Sequence, residues 1–188
     1  MGNEIKLNTP LVEDEITKLK IGDKVLLNGK IYSARDAAHK RLVELVKSNK
    51  PLPFDIKNQV IYYVGPSPAK PGMAVGSAGP TTSSRMDPYT PILLDNGLKG
   101  MIGKGERKKE VIDSIVKNKA IYFIAIGGAG ALLAQAIKSA KLIAYEDLGA
   151  EAIMEFYVEN FPVIVGIDTT GRDLYAEGVK KYQILEEV

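Results

Sequence analysis

The sequence predicts an α/β domain, with helices packed on a mixed, largely parallel sheet in α/β or β/β/α layers. In the second half of the chain, apolar segments of strand length alternate with amphipathic segments of helix length, which is typical of βαβ units. In the first half, the pair Asn28 and Gly29 between two apolar runs predicts a β-hairpin. A length of 188 residues without a low-complexity linker indicates one domain over 1–188.

The first half is predicted to contain three strand regions and two helices. In chain order these are a strand at 5–11, a short helix at 13–20, the hairpin at 24–34, a helix at 34–49 and a strand at 59–65. The helix at 34–49 is the clearest, because its apolar residues recur at helical spacing on one face. β-branched and aromatic residues favour the strand at 59–65.

The second half supplies the alternation of strands and helices. Residues 85–97 have a helical pattern interrupted by Pro88 and Pro91, so we expect a short helical turn or a restart at Pro91. The elements that follow are predicted as a strand at 99–105, a helix at 106–118, a strand at 120–127, a helix at 128–140, and strands at 141–147, 152–160 and 162–168. The basic run at 104–110 is typical of a solvated helix face.

The composition narrows the classes of partner. A net charge of +2 gives no argument for nucleic acid or an anionic membrane. The chain has no cysteine, which excludes disulfides and thiolate-bound metal within it. Its apolar stretches are far shorter than the ~18 residues that span a bilayer, and its first residues lack a signal-peptide pattern. We therefore expect a cytoplasmic protein that binds no metal itself.

Three cations follow predicted strands. Arg35 comes directly after the strand region that ends at 34. Lys104 sits between two glycines, directly after the strand that opens the segment 99–105. Arg85 follows a loop downstream of the strand at 59–65. Because ligands of α/β proteins bind outside the carboxyl ends of the strands, we expect these three cations to gather around one ligand.

The loop before Arg85 is rich in hydroxyl donors. Thr81, Thr82, Ser83 and Ser84 run directly into the arginine. Hydroxyls and backbone amides are neutral donors, and arginine pairs bidentately with a carboxylate or a phosphate. The pattern favours a small anion, and a diacid suits three cations. His39 lies one helical turn after Arg35 on the same face, and is a candidate supporting residue or acid.

A glycine-rich segment leaves a different function open. The segment AIGGAGALL follows a predicted strand and opens a predicted helix, as a dinucleotide-binding fingerprint does, but Leu133 stands where the third glycine belongs. The alternative function is therefore a stand-alone module that binds a small anion or a nucleotide. In the structural interpretation of the same segment, small residues only allow close packing at the start of the helix.

Several segments together resemble one family. These are IYSARDAAHKR, VGSAGPTTSSRMDPYTP, GMIGKGE, AIGGAGALLA and AYEDLGAEAIMEFYVENFPVIVGIDTTGRDLY. They are similar to the β subunit of class I (iron–sulfur) fumarate hydratases and of the related L(+)-tartrate dehydratases. The resemblance implies a swivelling β/β/α domain that packs on an α subunit. That partner would carry a [4Fe–4S] cluster on three cysteines, while this chain would bind none.

The resemblance also implies roles for single residues. Arg35, Arg85 and Lys104 match the family's binders of the substrate carboxylates, and Thr82 is assigned to substrate binding with them. Thr81 matches a threonine that contacts the substrate and is proposed to abstract its proton. An aliphatic hydroxyl is a weak base at neutral pH, so orienting the substrate or relaying a proton are alternatives for Thr81.

The implied reaction is the reversible hydration of fumarate to (S)-malate. Removing a proton beside a carboxylate places a second charge on that carboxylate, where preorganised cations are needed. Loss of hydroxide needs a Lewis acid, which a chain without cysteines would leave to its partner. The chain is thus expected to be inactive alone and to form a hetero-oligomer, or a homodimer when isolated. L(+)-tartrate dehydratase and a purely structural scaffold remain alternative functions.

Overall fold

The computed structural model describes residues 4–183 and builds them around one seven-stranded sheet. The strands are β1 (Ile5–Thr9), β2 (Lys24–Ser33), β3 (Val60–Tyr62), β4 (Gly100–Gly103), β5 (Ile121–Ile124), β6 (Ile137–Ala144) and β7 (Ile153–Ile167). The α-helices are α1 (Glu13–Ile16), α2 (Asp36–Lys47), α3 (Thr90–Asp95), α4 (Lys109–Asn118), α5 (Gly130–Ala136) and α6 (Leu174–Tyr182). Two 3-10 helices span Ser83–Met86 and Glu146–Glu151. The fold is therefore mixed α/β, as the sequence predicts.

The long strand β7 closes the sheet on itself. Strands β1 to β5 are parallel neighbours in chain order. Strand β7 runs antiparallel to β5, to β2 and to β6. Pairing of β7 with both β5 and β2 joins β2, β3, β4, β5 and β7 into a ring. The sheet is mixed, as the sequence predicts, because β1 to β5 pair in parallel and β7 supplies antiparallel pairs on both of its edges.

Strands β3 to β5 separate two apolar clusters. Tyr62, Ile102 and Phe123 belong to the cluster enclosed by the ring, where Leu27 and Phe161 also lie. Ile61, Met101 and Tyr122 belong to the second cluster, with residues of α2, α3 and α4. Neighbouring residues of a strand point to opposite faces, so these strands are buried on both sides. Burial on both sides explains why their sequences are continuously apolar.

The hairpin predicted at Asn28 and Gly29 is wrong. Both residues lie inside the continuous strand β2, which pairs with β1 on one edge and with β7 on the other. The register against β7 shifts between Leu27 and Gly29, and Gly29 has φ +108°. The backbone amide of Asn160 on β7 donates to Asn28 Oδ1 over 2.9 Å. This is a β-bulge whose extra residue lies on β7, where residues 159 and 160 stand opposite the single residue Asn28. Partners on both edges of β2 override the turn propensity of Asn28 and Gly29.

Two boundaries in the second half also differ from the prediction. The helix predicted over 128–140 ends at Ala136, and Ile137 already begins β6. Antiparallel pairing with β7 overrides the helix propensity of the alanine-rich segment there. The strands predicted at 152–160 and 162–168 form the single strand β7, in which Pro162 lies opposite Leu26. The apparent break is the bulge at Asn160.

Other elements confirm the prediction. Helix α2 occupies most of 34–49, and α4 lies within 106–118. Helix α3 begins at Thr90 with Pro91 in its first turn, which is the expected restart. Across residues 4–183, we find no helix with the length and apolar character to cross a membrane.

Candidate functional site

The candidate site lies at the carboxyl ends of the parallel strands. Arg35 follows β2, and Lys104 follows β4. Beyond β3, the Tyr63 carbonyl accepts the Thr81 amide over 2.7 Å, which places the hydroxyl loop at that strand's end. Because β2, β3 and β4 are neighbours, their ends share one edge of the sheet. The predicted residues therefore lie at one edge, as expected for α/β proteins.

One carboxylate joins the two arginines. Arg85 Nη2 donates to Asp36 Oδ2 over 2.5 Å. On the other side, Arg35 Nε lies 3.9 Å from Asp36 Oδ1, and Arg35 Nη2 lies 3.2 Å from Glu151 Oε1. Burial alone would raise the pKa of Asp36, but its own backbone amide and the Arg85 guanidinium outweigh burial and hold that pKa below its usual range. Asp36 is therefore ionised at neutral pH between two guanidinium groups.

Lys104 lies in the adjacent groove. Thr82 and Lys104 form an isolated parallel bridge, in which the Ser83 amide donates to the Lys104 carbonyl over 2.9 Å. Lys104 and Thr82 are exposed and line this groove together with Gly127 and Tyr175. The three predicted cations thus occupy two adjoining places: Arg35 and Arg85 around Asp36, and Lys104 beside Thr82.

A chain of hydroxyl bonds fixes the loop that carries Lys104. The Tyr122 hydroxyl donates to the Gly105 carbonyl over 2.9 Å. Its single proton is thereby used, so the 2.9 Å contact between Tyr122 and Ser83 has Ser83 as the donor. The Gly105 amide in turn donates to the Tyr175 hydroxyl over 3.0 Å. Ser83 therefore serves the site by anchoring the loop from inside the protein.

A buried ion pair supports the same loop. Arg107 Nε donates to Asp87 Oδ1 over 2.7 Å, and the two side chains are 0% and 2% exposed. Arg107 Nη2 also donates to Thr90 Oγ1, and its guanidinium lies over the rings of Tyr63 and Tyr122. The expectation that 104–110 is a solvated helix face is wrong for Arg107. Sequence spacing alone did not reveal its acidic partner, which lies 20 residues earlier.

His39 lies behind Arg35. The imidazole is fully buried, with Nδ1 2.8 Å from the Arg35 carbonyl and its ring against the edge of Tyr63. Burial lowers the pKa of His39 to about 4, so the ring is neutral at neutral pH. Since the carbonyl can only accept, Nδ1 carries the proton. His39 thus holds the backbone of Arg35, and a neutral ring has no proton to spare as an acid.

The glycine-rich segment has a packing explanation. A Cβ atom at Gly130 would lie against the Ser77 hydroxyl and 2.9 Å from the Gly79 amide nitrogen. The Ala78 amide donates to the Gly130 carbonyl over 3.0 Å. Helix α5 is only seven residues long. The small residues let the start of this helix contact the segment that leads into the hydroxyl loop, which favours the structural interpretation over a nucleotide site.

Three site residues were missed by the sequence analysis. Asp36 is adjacent to Arg35 in the sequence, and its position at the first turn of a helix was the available signal. Glu151 and Tyr175 gave none, because Glu151 reaches Arg35 from the connection between β6 and β7, and Tyr175 reaches Gly105 from α6. Contacts between residues so far apart in the sequence depend on the tertiary fold, here on how the strands close into a ring.

The fold and the site define a class of protein, an α/β domain that presents arginine, lysine and hydroxyl donors at the carboxyl edge of its sheet. This arrangement can bind an organic anion. The chain belongs to the family described as Fumarase C-terminus, whose model matches residues 1–178.

The chain matches one named relative over nearly its whole length and other named relatives over about a third of theirs. A Methanocaldococcus jannaschii protein with the provisional name L(+)-tartrate dehydratase subunit beta is 40% identical, and the match covers 95% of both chains. The anaerobic class I fumarate hydratase of Escherichia coli K12 is 38% identical over 95% of this chain. Fumarate hydratase 2 of Leishmania major is 36% identical over 93% of it. The matches span 33% and 31% of these two hydratases.

Proposed function

We propose that the chain is the β subunit of a class I fumarate hydratase and binds the two carboxylates of fumarate or (S)-malate. The observation that carries the proposal is the placement of Arg35, Arg85 and Lys104 at one sheet edge beside the hydroxyl loop. A dicarboxylate needs charge-assisted donors, and each such bond contributes about 1.5–3 kcal/mol. The family and the hydratase relatives support this function.

An α subunit is proposed to complete the active site. The fumarate hydratase relatives are about three times as long as the segment they share with this chain. The chain has no cysteine, and residues 4–183 contain no group of three or more metal-binding side chains. These residues do not fit a [4Fe–4S] cluster. The cluster is therefore assigned to the partner, on which this swivelling β/β/α domain would pack, and the chain is expected to be inactive alone.

The residues of this chain then have distinct tasks. Arg35, Arg85 and Lys104 hold the carboxylates and stabilise the charge that develops on one of them as the adjacent carbon loses its proton. Thr82 lies beside Lys104 and adds a hydroxyl donor. Thr81 is held by its amide at the end of β3 and is proposed to face the reacting carbon, where it accepts or relays the proton.

L(+)-tartrate dehydratase is the second candidate function. The Methanocaldococcus jannaschii relative supports it, because that protein matches this chain over nearly its whole length. Tartrate has one hydroxyl more than malate, and a site that hydrogen-bonds a substrate hydroxyl rejects an analogue that lacks it. The Tyr175 residue lines the Lys104 groove, and its hydroxyl accepts from the Gly105 amide and keeps its own proton to donate to that hydroxyl.

The test is activity of the reconstituted complex. The chain is co-expressed without oxygen with the cluster-bearing chain, and hydration of fumarate and dehydration of malate and L-tartrate are assayed. Arg85→Met is expected to lower kcat/KM by about 100-fold or more. Arg41→Met, which removes an exposed arginine paired with Asp147, is the matched control and should retain activity. Unchanged turnover in Arg85→Met would instead identify a structural scaffold.

A further inference from the structure

We propose that Asp36 is a positioning residue that sets Arg35 and Arg85 as a pair and thereby selects the length of the diacid. The inference rests on the proposed function, because it concerns how the same two arginines meet a substrate. It goes beyond the arginines themselves, since Asp36 acts through them.

The contacts of Asp36 support this role. Arg35 and Arg85 come from segments far apart in the sequence, and Arg85 reaches Asp36 across 49 residues. The Arg85 side chain is 48% exposed, so packing alone does not fix its orientation. Its hydrogen bond to Asp36 does so. Asp36 itself is the first residue of α2, and His39 ties that helix to the Arg35 carbonyl.

Electrostatics gives a second reason. Two guanidinium groups around one ligand repel each other, and the repulsion grows as they leave water. The carboxylate of Asp36 lies between them and compensates this repulsion without occupying all their donors. A guanidinium has five N–H donors, and Asp36 takes one from Arg85. The remaining edges are available to a substrate carboxylate.

The position of Arg35 shows that its contact with Asp36 can still tighten. Arg35 Nε and Asp36 Oδ1 are both buried without a hydrogen-bond partner among the described residues, and they lie 3.9 Å apart. Arg35 is meanwhile held on its other side by Glu151. A shift of about 1 Å toward Asp36 would give both buried atoms a partner at normal hydrogen-bond distance. Such a shift would hold both guanidinium groups against the one carboxylate of Asp36.

Kinetics of the complex with the cluster-bearing chain test the inference. Asp36→Asn removes the charge, while Asp36→Glu keeps the charge and moves it by one methylene. Both are expected to lower kcat/KM for fumarate by about 10- to 100-fold, the effect of losing one charge-assisted contact. Both should also narrow the preference for fumarate over glutaconate, its homologue with one more carbon. Asp147→Asn, which breaks the exposed pair with Arg41, is the matched control.

The outcomes separate positioning from simple charge compensation. Full activity in Asp36→Glu would overturn positioning, because charge alone would then suffice. Full activity in Asp36→Asn, or an unchanged preference between the two acids, would overturn it as well.

A second measurement on the isolated full chain does not depend on activity. The Nε–H resonances of Arg35 and Arg85 are recorded by NMR in the parent chain and in Asp36→Asn. We expect the Arg85 resonance to move to the position typical of an exposed arginine. If it moves while the parent complex turns over neither fumarate nor tartrate, the proposed function fails and the positioning role stands. If the resonance is unchanged, the positioning role fails.

Discussion

At the scale of single residues, the site is built by polar groups that are themselves buried. His39 holds the carbonyl of Arg35, and Arg107 with Asp87 supports the 3-10 helix that carries Arg85. Removing one partner of a buried polar pair is costly, because it leaves the other partner unpaired in a low dielectric. Arg35 and the 3-10 helix that carries Arg85 are therefore held in place by buried residues behind the candidate site.

Burial of His39 predicts how stability depends on pH. The folded chain lowers the pKa of His39 from 6.5 to about 4, so between these values the unfolded chain binds a proton that the folded chain does not. The contribution of His39 is therefore complete above pH 6.5 and is lost as the pH falls toward 4. Between pH 7 and pH 5 the free energy of unfolding should fall by roughly 2 kcal/mol from this group.

Urea unfolding of the parent chain and of His39→Asn at the two pH values measures this effect. Asparagine can still donate to the Arg35 carbonyl but does not titrate. We expect the variant to be less stable at pH 7 and to show a smaller loss between pH 7 and pH 5. Arg107, Asp36 and the rings of Tyr63 and Tyr89 surround the imidazole and are unchanged in the comparison. An equal loss in both chains would contradict the prediction.

At the scale of elements, local pattern predicted the type of most segments but not their ends or partners. Helix α2 and strand β5 were predictable because periodicity and β propensity agree with their packing. The continuity of β2 through Asn28 and Gly29 and the start of β6 at Ile137 were not predictable, because in both places pairing with β7 decides the conformation. Residues 128–140 have the composition of a helix, and pairing with a neighbouring strand makes the last four of them extended.

Contact between β4 and the 3-10 helix Ser83–Met86 requires a glycine. A Cβ atom at Gly103 would overlap the Ser83 hydroxyl and lie 2.9 Å from Tyr63 Cδ2. Gly103→Ala should therefore lower the free energy of unfolding by about 1–3 kcal/mol, the usual cost of overpacking. In Gly178→Ala the new Cβ meets nothing within 4 Å inside a helix, so stability should rise by up to about 1 kcal/mol. Thermal unfolding of both variants checks the opposite signs.

At the scale of the whole molecule, the candidate site combines the ends of neighbouring parallel strands with segments that the closed sheet brings to them. The strand-end rule predicts Arg35, Arg85 and Lys104 at one edge, and the structure has them there in two adjoining places. That rule depends only on neighbouring parallel strands. It did not find Asp36, Glu151 or Tyr175, which depend on side-chain reach and on segments brought in by β7 and α6. The cations were predictable from local sequence, whereas the residues that orient them required the closed fold.

The closed fold also predicts one cooperative unfolding transition. Adjacent residues Ile61 and Tyr62 belong to different apolar clusters, so the same strands hold both clusters together. Phe161→Ala in the ring cluster should cost about 3–5 kcal/mol, and Leu93→Ala in the helix cluster about 2–5 kcal/mol.

Far-UV circular dichroism and tyrosine fluorescence should report one common urea midpoint for each variant, lower than that of the parent. The parent midpoint should persist in Val179→Ala, whose side chain is exposed, since surface changes stay within about 0.5 kcal/mol. Both probes should agree because the two clusters pack on opposite faces of the same strands. Loss of one cluster exposes one face of these strands and thereby destabilises the cluster on the other face. Separate midpoints for the two probes in Leu93→Ala would show instead that the helical layer unfolds independently of the ring.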